Sequence, residues 1–101
     1  MPGLLFCAGF LGSTGTKYNS TGQVSFTVAR LSGYAAGAWT ITFASAHPLG
    51  ANYVVTTTAR NAYSYISTSP SPTSTAFVVV LLALGTSTPP IDTPFNFMVL
   101  A

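Results

Sequence analysis

Apolar and polar residues alternate through much of this chain. Over residues 23–31, Val24, Phe26 and Val28 alternate with Ser25, Thr27 and Ala29. A period of two is the signature of a strand with one buried face. Residues 38–44 set Trp39, Ile41 and Phe43 against Thr40 and Thr42. Tyr53, Val55 and Thr57 alternate with Val54, Thr56 and Thr58, and over residues 93–100 Phe95, Phe97 and Val99 alternate with Asn96, Met98 and Leu100. Two runs, 4–11 and 77–84, are apolar at nearly every position. Such a strand needs cover on both faces. In a two-layer sandwich the opposing sheet covers one face. The other face requires a neighbouring subunit or a long loop of the same chain.

Between these runs lie stretches rich in Gly, Ser, Thr, Asn and Pro: residues 12–22, 32–37, 45–52, 67–74 and 85–90. They read as loops. Helix formers such as Glu, Lys and Gln are scarce, and β-branched and aromatic residues dominate. The pattern predicts one all-β domain over residues 1–101, an antiparallel β-sandwich or jelly roll of about 7–8 strands. Residues 4–11 have the apolar character of a signal segment. No basic residue precedes them and no A-x-A site follows, so they are read as a strand. Residues 76–84 are too few to cross a membrane as a helix, which takes about 20.

Charge changes the picture. Only 4% of residues are charged, against about 25% in an ordinary domain. The set is Lys17, Arg30, Arg60 and Asp92, with His47 the sole histidine. Scattered cations exclude phosphate-backbone binding, which needs clustered Lys and Arg. A lone acid excludes a carboxylate pair, and no Gly-x-Ser-x-Gly elbow holds a serine for a triad with His47 and Asp92. His47, Cys7 and Asp92 lack metal-motif spacing, and no glycine-rich phosphate cradle precedes a helix. No enzyme activity, metal or cofactor is therefore expected. Cys7, the only cysteine, reads as a buried small apolar residue, with a bridge between subunits as the alternative. His47 precedes Pro48 and reads as a structural residue at a strand end.

Residues 22–28 (GQVSFTV), 37–43 (GAWTITF), the pair His47-Pro48, residues 50–55 (GANYVV) and residues 93–100 (TPFNFMVL) together resemble the C-terminal heads of viral and phage fibres and of collagen-like virion proteins. The resemblance implies a C1q-like or tumour-necrosis-factor-like jelly roll assembled as a homotrimer. It also implies a place at the virion surface, outside the cell, and attachment to a host receptor or glycan. It transfers no binding motif residue by residue. The alternatives are a purely structural trimerisation or capsid-decoration module and a free lectin-like module. The candidate binding residues come from the sequence itself. Residues 61–71 offer Asn61, Tyr63 and Tyr65 beside Arg60, and Tyr34 sits in another turn. Tyrosine rings stack on sugars, while Asn and Arg bond hydroxyls. The rival reading makes Tyr63 and Tyr65 part of a plain strand whose rings pack on a neighbour.

Overall fold

The structure, a computed structural model, describes residues 5–33, 36–60, 62–67, 72–83 and 90–101. It contains β1 (Leu5–Leu11), β2 (Lys17–Thr21), β3 (Phe26–Arg30), β4 (Ala38–Phe43), β5 (Val55–Ala59), β6 (Ala62–Ile66), β7 (Ala76–Ala83) and β8 (Phe95–Leu100). They form two four-stranded sheets, ordered β2-β1-β8-β5 (sheet I) and β3-β4-β7-β6 (sheet II). Every pairing is antiparallel. Strand β1 pairs with β8 and β4 with β7, while β5 and β6 are added beyond β8 and β7. The two sheets face each other across the core as an antiparallel β-sandwich.

The alternating strands bury the faces their patterns predict. Trp39, Ile41 and Phe43 of β4 and Phe95, Phe97 and Val99 of β8 point into the space between the sheets. Aromatic edges bridge that space. Phe26 meets Phe97 at 4.8 Å and Phe77 meets Phe97 at 5.6 Å, both nearly perpendicular. Each fully buried aliphatic or aromatic side chain contributes about 1.5–3 kcal/mol relative to exposure. At one side of the sandwich the hydroxyls of Thr57 and Ser64 join β5 to β6 at 2.9 Å.

One feature differs from the expectations, and two decide between alternatives left open. The stretch 12–22 is not all loop: Lys17–Thr21 form β2, an edge strand with every residue exposed. Part of 61–71 is strand as well, because Ala62–Ile66 form β6. The third concerns β7. Val78 and Val80 lie on its outer face, yet they are 4% and 3% exposed within one chain. Their burial needs no second subunit. In strand β1 an irregularity accounts for one apolar neighbour pair, while Ala8 and Phe10 lie on the outer face. Leu5 pairs with Leu100 and Cys7 with Val99, so Phe6 is an extra residue in the ladder. A bulge of this kind turns two consecutive side chains to one side, and both Phe6 and Cys7 enter the core.

Candidate binding faces

The residues with chemical potential are first of all structural. His47 is buried. Its Nδ1 accepts the Leu49 N–H at 3.1 Å, so Nε2 carries the proton and donates to the Leu100 carbonyl at 2.8 Å. The ring packs on Phe6 at 4.4 Å and on Tyr53 at 5.0 Å. Asp92 receives a two-pronged contact from Arg30, at 3.0 and 2.9 Å, and the Gly37 N–H at 2.7 Å. Arg30, first of all, and the Gly37 N–H hold the Asp92 carboxyl below its ordinary range, against a push upward from partial burial. Cys7 is fully buried between the sheets, which pushes its thiol up to about 11. That thiol is closed to a bridge with another subunit.

The outer face of sheet I is built from β-sheet register. One cross-strand row reads Thr21, Ala8, Met98, Thr56, and the next reads Asn19, Phe10, Asn96, Thr58. These residues line a shallow depression of about 370 Å³. The side chains of Asn19, Thr21, Thr56, Thr58 and Asn96 make no hydrogen bond among the described residues. The face is graded along the strands. Beyond Met98 comes Leu100, paired with Leu5 and bonded through its N–H to the Val54 carbonyl at 3.1 Å. Val54, Met98 and Leu100 are between 42% and 55% exposed. The other end is polar and aromatic. Phe10 lies 5.8 Å from the Tyr18 ring, and the Arg60 guanidinium stands 4.7 Å over the Phe10 centroid.

The outer face of sheet II carries the tyrosines. Tyr63 pairs with Leu82 and Tyr65 with Val80, so both rings project from the edge strand β6, 59% and 49% exposed. Arg60 does not join them. The chain crosses from sheet I to sheet II between β5 and β6, which leaves Arg60 on Phe10 and sends the tyrosines to the opposite layer. Asn61 and Tyr34 lie outside the described residues. Sequence reasoning missed Phe10, Asn19, Asn96 and Thr58 as a group. They come from four strands, and only the register brings them together.

No family model, curated protein or solved structure matches this chain.

Proposed function

We propose that the chain is a non-enzymatic attachment head that assembles as a homotrimer and presents repeated copies of its surface to a receptor or glycan. The aliphatic end of sheet I, formed by Val54, Met98 and Leu100, carries this reading. Exposed apolar patches on a sheet face mark association surfaces, and no charged side chain interrupts this one. Leu49, exposed at the same end, extends it through the turn that His47 ties to Leu100. The engagement of His47 and Asp92 in structural bonds, and the burial of Cys7, support a role without catalysis. Three copies joined at this patch would multiply weak single contacts into useful avidity. The resemblance to fibre heads adds the setting: the tip of an extended virion protein that meets a host surface. The same patch serves a purely structural trimerisation module, and ligand binding separates the two.

Light scattering at micromolar concentration tests the assembly. The intact chain should run at about three times 10.4 kDa. Met98→Ser with Leu100→Ser should shift it towards the single-chain mass while leaving the β-sheet circular dichroism in place. A monomeric parent chain would overturn the proposal.

A further inference from the structure

The three cations of this chain have different fates. Lys17 donates to the Phe26 carbonyl, and Arg30 takes Asp92, the only acidic side chain. Arg60 is left with no hydrogen-bond acceptor for its guanidinium among the described residues. Its main chain is held firmly nonetheless. Its N–H donates to the Pro94 carbonyl at 3.0 Å, and its own carbonyl accepts the buried Thr93 hydroxyl at 2.6 Å. The side chain then lies over the Phe10 ring, a cation–π contact that keeps the planar fork at the polar end of sheet I. Next to it run the unpartnered side chains of Asn19, Asn96 and Thr58, with the Tyr18 ring beside Phe10. Neighbouring strands are about 4.8 Å apart. The Asn19 and Asn96 positions flank Phe10 about 10 Å apart, with the Arg60 guanidinium over the ring between them, so a sugar would lie across the top of this row with amides on either side of the cation.

We propose that this polar end binds a carboxylate-bearing sugar, of the uronic or sialic acid class. Arg60 would take the carboxylate through two parallel N–H bonds. Asn19, Asn96 and Thr58 both donate and accept, as sugar hydroxyls require. The exposed Tyr18 ring would meet the apolar face of the sugar. Rival ligands use less of the site. A neutral sugar leaves Arg60 idle, and a simple inorganic anion leaves the amides idle. A polyphosphate or nucleic acid needs more positive charge than one guanidinium. The site lies one cross-strand row from Met98; it rests on the glycan-binding part of the proposed function and does not require the assembly.

NMR titration of the full chain tests this with two matched pairs: methyl glucuronide against methyl glucoside, and sialyllactose against lactose. In at least one pair the acid should bind about tenfold tighter than its neutral parent. That pair also tells the uronic from the sialic class. The preference should shrink in about 1 M salt, where screening acts within roughly 3 Å. Arg60→Gln should abolish the preference and keep the neutral affinity. Asn96→Ala, at an exposed position, should weaken both members. Equal binding of acid and parent, a preference that survives Arg60→Gln, or no binding by any of the four sugars would overturn the proposal. None of these results would touch the self-association reading, which is measured without ligand.

Discussion

Gly9 is buried where β1 passes beneath the Phe26 ring. A Cβ there would stand 2.7 Å from Phe26 Cε1 and 2.9 Å from the Asn19 carbonyl oxygen. Gly9→Ala should therefore destabilise by about 1–3 kcal/mol, the usual cost of overpacking, as read by urea unfolding. Phe26→Leu in that background should recover part of the loss, because it removes the ring and leaves the carbonyl contact. No feature of the run FCAGFLG marks this glycine as different from Gly12; the ring that excludes a side chain comes from β3, in the other sheet. Asp92 is the second case. Its carboxyl is held low by Arg30 and Gly37, so its stabilising effect is complete above the unfolded value of about 3.9 and is lost as pH falls through the lower folded value. Asp92→Asn should melt below the parent at neutral pH, and the gap should close on acidification below about pH 4. A gap that stayed constant down to pH 2 or so would show that the carboxylate charge is not what stabilises the Gly37 turn.

At the scale of the element, legibility follows burial. Strands β4 and β8 each have one face in the core, so their sequences alternate, and the reading placed their inward residues correctly. Phe97 sits between Phe26 and Phe77 in this core. Phe97→Ala should cost about 3–5 kcal/mol, a large share of the 5–15 kcal/mol typical of a whole domain. Chemical denaturation measures it, and a loss under about 1 kcal/mol would contradict the packing. Strand β2 was invisible for the opposite reason. Lys17, Tyr18, Asn19, Ser20 and Thr21 are all exposed, so nothing alternates. Only hydrogen bonding to β1 makes it a strand, with Tyr18 as the extra residue where the register shifts. Strand β1 was legible as apolar but not as bulged. The pair Phe6-Cys7 reads as two faces of a regular strand until the Leu5–Leu100 and Cys7–Val99 pairings show that both turn inward.

The whole molecule separates what the sequence puts side by side. Arg60 and Tyr63 are three positions apart, yet the crossing from β5 to β6 divides them between opposite outer faces. A linear reading groups them; the topology makes two surfaces, one with a cation and amides and the other with a tyrosine pair. The second surface yields the last prediction. Tyr63 and Tyr65 are two residues apart on one side of β6, about 6.8 Å along the strand. They stand opposite Leu82 and Val80 in the ladder, with about half of their surface free. An aromatic pair so placed suits ring stacking with a sugar or the anchoring of a protein loop. Tyr63→Ala with Tyr65→Ala removes two cross-strand pairs, each worth roughly 0.2–1 kcal/mol. The double variant should stay folded, and its mass in light scattering should match the parent, because the aliphatic end of sheet I is untouched. As a second contact, distinct from the sugar site on sheet I, the pair should matter to whole receptors: binding to receptor-bearing cells should fall, and by more for the assembled head than for one isolated chain, since avidity compounds each single loss. If assembly is intact and binding is unchanged, the tyrosines are not the contact. If instead the mass drops to that of one chain, the rings face a neighbouring subunit and the self-association surface belongs on sheet II.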